Sequence, residues 1–155
     1  MKLTIAEKLL AIGTGLGMLH HIDHILRVDH SGWPFRPDVT PFTYSLIVYP
    51  IILAIFMLRS RPWLRVVGSA LIFAFVTFSH SYFETPFDQF QTWAYGSRSP
   101  DYCGSTNLLG LQSSGLGTAA VFLTITLSTI FLAVTIAFLR EARQIPGIDA
   151  RGRTL

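Results

Sequence analysis

Four long apolar stretches, separated by shorter polar ones, give the first indication of this chain's fold. They cover residues 5–28, 42–58, 64–84 and 116–140. A helix that crosses a bilayer needs about 20 mainly apolar residues, and the last two stretches meet this requirement most clearly. The pattern predicts an all-α integral membrane protein. We expect a four-transmembrane-helix bundle that forms a single membrane domain over residues 1–155.

The first two stretches fit a membrane span less closely than the others. The second is short and contains Pro50, which a membrane helix can tolerate as a kink. The first follows Lys2 and Lys8, and this basic start before an apolar run resembles a signal peptide. No convincing small-residue cleavage site follows it, so we expect a retained first helix, with a signal peptide as the alternative.

Composition agrees with a membrane protein and gives no indication of nucleic-acid binding. Half of the residues are hydrophobic, only 14% are charged, and the mean hydropathy is +0.46. Soluble domains carry about 25% charged residues. The net charge of +3 is small, and the basic residues cluster at the ends of the apolar stretches. The expected partner is therefore the lipid bilayer.

The distribution of Lys and Arg predicts the orientation of the bundle. With a cytoplasmic N-terminus, nine of the twelve basic residues fall on the cytoplasmic side and three on the other. This asymmetry places both termini in the cytoplasm, including the polar tail 141–155. It also predicts a long outer loop between helices 3 and 4, over residues 85–115. That loop carries several aromatic residues, so we expect it to fold back onto the bundle or lie at the membrane interface.

Histidines mark the candidate chemistry, because four of the five lie close together near the end of the first stretch. His20, His24 and Arg27 have the spacing i, i+4, i+7 and therefore share one helix face. Asp23 lies beside them, and His21 points about 100° away. Ionisable side chains in or near a membrane span are costly and usually functional.

A second pair with the same spacing lies at the outer end of the third stretch. His80 and Glu84 would meet His20 and His24 at similar depth if the two helices are neighbours. The sequence therefore predicts a metal site formed by these four residues. The residues Asp23, Asp88 and His30 could contribute further ligands.

Neutral imidazoles with a carboxylate favour a divalent transition metal over magnesium or calcium. We expect zinc, with iron or copper as alternatives, and a haem held by two histidines is less favoured. Two metal-free hypotheses stay open. One is a polar or proton-handling site, and the other is a structural network in which Asp23 pairs with Arg27.

Two classes of function follow from the predicted metal site. The first is a membrane metal-dependent hydrolase or oxidoreductase that acts on a lipid-like or amphipathic small molecule near the non-cytoplasmic face. Asp23 would then act as a base or orient an imidazole, and Arg27 would bind an anionic group. The second is a non-catalytic metal-binding or transport protein, as a homo-oligomer or as an accessory subunit of a larger membrane complex.

Glycines in the first stretch form a separate pattern. Gly13 and Gly17 have the small-xxx-small spacing that lets two membrane helices approach closely. We expect both to pack against another helix.

Overall fold

The computed structural model describes residues 2–27, 44–96 and 107–144. These parts of the chain contain five helices and no strands, which confirms the all-helical prediction. The helices are α1 (Ile5–Leu26), α2 (Val48–Met57), α3 (Pro62–Tyr82), α4 (Pro86–Tyr95) and α5 (Ser114–Arg143).

Helix α1 has defined ends that position the residues of both ionic clusters described below. Thr4 caps its N-terminus and accepts from the Glu7 amide, while the Glu7 carboxylate accepts from the Thr4 amide. At the other end the Arg27 amide donates to the Asp23 carbonyl at 3.0 Å. Residues His20 to Leu26 form the last two turns of α1.

Helix α2 is shorter than the predicted helix 42–58. Its ten residues span about 15 Å, half of the hydrocarbon thickness of about 30 Å. Pro50 lies in the first turn of α2. An amide there has no partner within the helix, so the missing N–H of proline costs little.

Helix α4 lies inside the region predicted as a long outer loop. Thr85 and Asp88 form a capping box at its start, and Gly96 ends it with a φ of 77°. Helix α4 packs against α5, and a Cβ on Gly117 would lie 2.7 Å from the Phe90 carbonyl oxygen. The chain therefore folds back onto the bundle as expected, but as a helix that the sequence analysis did not predict.

Helix α5 is the central element, because α1, α3 and α4 all pack against it. Its buried face carries Leu127, Phe131, Val134 and Phe138, which join a hydrophobic core with side chains of α1, α2 and α3. Within the described residues, α3 and α5 are long and apolar enough to cross a membrane. The four-span arrangement stays a prediction.

A buried ionic group at the N-terminal end of α1, which we call the Glu7 cluster, consists of Glu7, Arg59 and Arg65. Glu7 is fully buried, and Arg59 contacts it with Nε and one terminal nitrogen at 2.7 and 2.6 Å. Arg65 donates to Glu7 Oε1 at 2.7 Å, and its guanidinium lies 4.2 Å from the centre of the Phe138 ring. No pattern in the sequence predicted this contact.

Candidate metal centre

The two distant histidine pairs meet at one end of the bundle, and we call this group the His/Glu cluster. It consists of His20, His24, His80 and Glu84, and one potential ligand atom from each lies within 4.8 Å of the other three. His20 is 3% exposed, and the other three side chains are 11% exposed or less. These four residues could hold a metal ion.

Distances within the His/Glu cluster are close to those that one small cation requires. His20 Nε2 lies 2.9 Å from His24 Nε2, and His24 Nε2 lies 3.2 Å from Glu84 Oε2. His80 Nδ1 lies 3.7 Å from the same oxygen. Ligands at about 2.0–2.1 Å from a tetrahedral zinc ion are about 3.3 Å from one another. Small side-chain adjustments would therefore bring these donors onto one ion.

Local chain geometry explains how Glu84 reaches the histidines. Helix α3 ends at Tyr82, and the amides of Phe83 and Glu84 both donate to the Ser79 carbonyl. The chain thus makes one further turn before Thr85 begins α4. This turn keeps the Glu84 side chain on the His80 face. The predicted helix included Glu84, but the observed helix α3 ends two residues before it.

Arg27 fixes the charge and the orientation of Glu84. Its guanidinium is fully buried and donates to Glu84 Oε1, which leaves Oε2 facing the histidines. Burial alone would raise the pKa of the Glu84 carboxyl, but the charge and hydrogen bond of Arg27, together with the neighbouring His20 and His80, hold that pKa below its ordinary value. Glu84 is therefore a carboxylate, the form that binds metals.

Asp23 completes this ionic network. Its Oδ2 accepts from Arg27 Nε at 2.8 Å, and its Oδ1 accepts from the Trp93 indole at 2.8 Å. Trp93 belongs to α4, so the helix missing from the sequence-based prediction supplies a direct partner of Asp23. Arg27 thus joins Asp23 to Glu84. The catalytic roles predicted for Asp23 and Arg27 stay predictions.

Gln89, also on α4, is a second site residue that the sequence analysis missed. Its amide nitrogen lies 3.2 Å from His80 Nδ1 and 3.3 Å from Glu84 Oε2. Its carbonyl oxygen accepts from the Thr124 hydroxyl of α5 at 2.9 Å. Gln89 and Thr124 are buried, so this chain of hydrogen bonds ties the cluster to the central helix. The capping motif at Thr85 and Asp88 was the signal that could have revealed α4.

His21 and Asp88 have hydrogen-bond partners outside the cluster. His21 contacts the Tyr49 hydroxyl with Nδ1 at 2.6 Å and the Ser45 hydroxyl with Nε2 at 2.7 Å, so both its ring nitrogens are engaged. Asp88 is part of the α4 capping box. His30 lies outside the described residues.

A cavity of about 150 Å³ opens directly beside the His/Glu cluster. All four cluster residues line it. The rest of its wall is mainly apolar and includes Val48, Ile52, Val76, Leu127 and Phe131. A metal in the cluster would therefore face an apolar chamber.

The two glycines predicted to pack against a helix behave differently. A Cβ on Gly13 would lie 3.1 Å from Ile130 of α5, which agrees with the expected close approach. A Cβ on Gly17 would meet nothing within 4 Å, although Gly17 is buried and lines the cavity. Gly17 therefore contributes open space rather than a helix contact.

No protein-family model matches the chain, and neither a curated protein nor a solved structure is significantly similar to it.

Proposed function

We propose that this chain is a multi-pass membrane protein that binds one divalent transition metal, preferably zinc, in the His/Glu cluster near the non-cytoplasmic face. The observation that carries the proposal is the convergence of four potential ligand atoms within 4.8 Å. They come from the end of α1 and from α3 with its following turn, 56 positions apart in the case of His24 and His80.

The surroundings of the cluster support metal binding over a simple hydrogen-bond network. Residues that hold a metal ligand in place are a general feature of such sites, and Arg27 and Gln89 have this position around Glu84. The His20 Nδ1 atom is buried and has no hydrogen-bond partner among the described residues. Two imidazole nitrogens 2.9 Å apart would also share at most one proton in the neutral state.

The exterior of the bundle supports a membrane location. Only 22% of the apolar window of α3 and 28% of that of α5 are buried inside the protein. The exposed surface includes large side chains such as Leu71, Phe122, Ile125 and Leu132, each at least 41% exposed. A lipid environment would cover these side chains, whereas water would not.

The cavity favours a catalytic centre over a purely structural metal site. A zinc ion with three or four protein ligands can add a further ligand, and a bound water reaches a pKa of about 7 on an open zinc site. Such water would be a nucleophile for a hydrolytic reaction on an amphipathic substrate. In this proposal Asp23 and Arg27 are positioning residues, because their charged groups contact each other and Glu84. A non-catalytic metal carrier or accessory subunit is the alternative.

Metal analysis of the purified protein tests the proposal. We expect about one metal ion per chain, and His24→Ala or His80→Ala should weaken metal binding at least 100-fold. A residue that only hydrogen-bonds to a metal ligand already contributes about 10–100-fold to metal affinity, so loss of a ligand itself should cost at least as much. His21→Ala is the matched control. It removes a histidine from the same helix, but the ring nitrogens of His21 contact Tyr49 and Ser45. Metal loss in the control, or retention in both ligand variants, would contradict the site.

Sidedness can be tested with the only cysteine of the chain, Cys103. The predicted orientation places residue 103 in the outer region between α4 and α5. A membrane-impermeant thiol reagent should label intact cells or right-side-out vesicles, and the Cys103→Ser variant should show no labelling. Labelling only after the membrane is opened would reverse the orientation.

A further inference from the structure

The cavity beside the His/Glu cluster has a shape and charge that select one class of ligand. We infer that it binds a small aliphatic carboxylate, whose head contacts the metal and whose chain lies among the apolar side chains. This inference rests on the proposed metal site and names the ligand class of that same site.

Charge balance favours an anionic head group. The carboxylates of Asp23 and Glu84 and the Arg27 guanidinium lie beside the site, with a combined charge of −1. A divalent metal held by neutral imidazoles brings the total to +1. One carboxylate from a ligand would make the buried group neutral, whereas a cationic head would raise its charge in a low-dielectric environment.

The orientation of Glu84 leaves room for such a head group. Arg27 holds Oε1, so Glu84 presents a single oxygen to the histidines. The cluster therefore supplies four donor atoms, and zinc can expand to five-coordinate. Because all four residues line the cavity, the additional position faces the chamber.

The chamber fits a short apolar chain. Its volume of about 150 Å³ equals that of a protein cavity known to hold benzene, a molecule of six carbons. Its walls combine aliphatic residues of α2 and α3 with Leu127 and Phe131 of α5. A chain of about six carbons would therefore replace empty space with apolar contacts.

Gly17 marks the part of the chamber that the chain would occupy. It is buried on the cavity wall, yet a side chain there would meet no atom within 4 Å. A larger residue at position 17 would therefore compete with the ligand without displacing protein atoms. Gly15 on the same helix also has open space around a Cβ, but it is exposed and does not line the cavity.

Calorimetric titration of the zinc-loaded protein with hexanoate and acetate tests the inference. Each buried methylene contributes about fourfold in affinity, so hexanoate should bind on the order of 100-fold more tightly than acetate. Hexyltrimethylammonium has a similar chain and a cationic head and should not bind. The His80→Ala variant, measured in the same detergent, corrects for partition of hexanoate into micelles.

Variants of the two glycines locate the bound chain. Gly17→Leu should lower hexanoate affinity at least tenfold with unchanged metal content, and Gly17→Ala should cause a smaller loss. Gly15→Leu should leave hexanoate affinity unchanged. Equal affinities for hexanoate and acetate, or no effect of either Gly17 variant, would overturn the inference while the metal site stands. Absence of bound metal in the unmodified protein would overturn the proposed function together with the inference.

Discussion

The bundle buries charged groups at both ends of α1, but the Glu7 cluster and the His/Glu cluster are built in opposite ways. In the Glu7 cluster, each carboxylate oxygen of Glu7 accepts two hydrogen bonds, from Thr4, Arg59 and Arg65. A carboxylate has about four acceptor sites, so all are filled. The Glu7 carboxylate thus has no acceptor site left for a ligand.

The His/Glu cluster has the reverse balance of donors and acceptors. It places three imidazoles around one carboxylate oxygen, and neutral imidazole has a single N–H and a lone pair. Its residues line the cavity, whereas Glu7, Arg59 and Arg65 do not. Burial of charge alone therefore does not identify a functional site, because both clusters bury charged groups. An excess of lone pairs beside open space is the feature that distinguishes the His/Glu cluster.

The largest expected effect comes from breaking the Glu7 cluster. Glu7→Gln removes the only charge that compensates the buried Arg65 guanidinium within this cluster, and leaving a buried charge without its partner costs about 3–5 kcal/mol. We expect this loss in the free energy of unfolding of the detergent-solubilised protein, with or without a chelator. Metal content should not change. A loss of metal in this variant would show that the two ends of the bundle are not independent.

A smaller effect should separate the two clusters through metal-dependent stability. Free zinc at 100 times its dissociation constant should stabilise the protein by about 2.7 kcal/mol, because the ion binds the folded state. His80→Ala should abolish this increment, whereas Glu7→Gln should retain it from a lower starting stability. Thermal or denaturant unfolding with and without zinc measures both. An equal increment in His80→Ala would contradict the site.

The smallest effect tests the hydrogen bonds that position the ligands. Thr124→Val removes the donor to the Gln89 carbonyl and should weaken metal binding by at most about tenfold, because direct partners of ligands contribute about 10–100-fold and Thr124 acts only through Gln89. Thr129→Val is the matched control, because Thr129 is exposed on the same helix and donates only to the Ile125 carbonyl. Competition with a metal indicator measures both affinities. Equal affinities in the two variants would remove Gln89 and Thr124 from the site.

Helical periodicity accounts for the part of the site that the sequence predicted. The spacing of His20 and His24, and of His80 and Glu84, places each pair on one face whatever surrounds it. The two pairs come together only because α1 and the end of α3 lie close to each other, and no local sequence pattern specifies which helices are neighbours. The ring centres of His20 and His80, 4.6 Å apart, confirm that the pairs are close.

Contacts that depend on tertiary packing were not predicted. Helix α4 was missed because its weakly apolar sequence lies in a region interpreted as a loop, although Thr85 and Asp88 carried a capping signal. Gln89 and Trp93 were missed with it. The pairing of Glu7 with Arg59 and Arg65 was also missed, although all three fall at the predicted cytoplasmic end. Such long-range ion pairs have no fixed spacing along the chain.

X-ray absorption at the edge of the bound metal tests the central claim most directly. We predict a first shell of nitrogen and oxygen at about 2.0–2.1 Å, with the scattering of three imidazoles. His80→Ala should reduce the imidazole contribution or abolish binding, and His21→Ala should leave the spectrum unchanged. A sulfur ligand at about 2.3 Å, which only Cys103 or a methionine could supply, or a protein without stoichiometric metal, would contradict the His/Glu cluster as the metal centre.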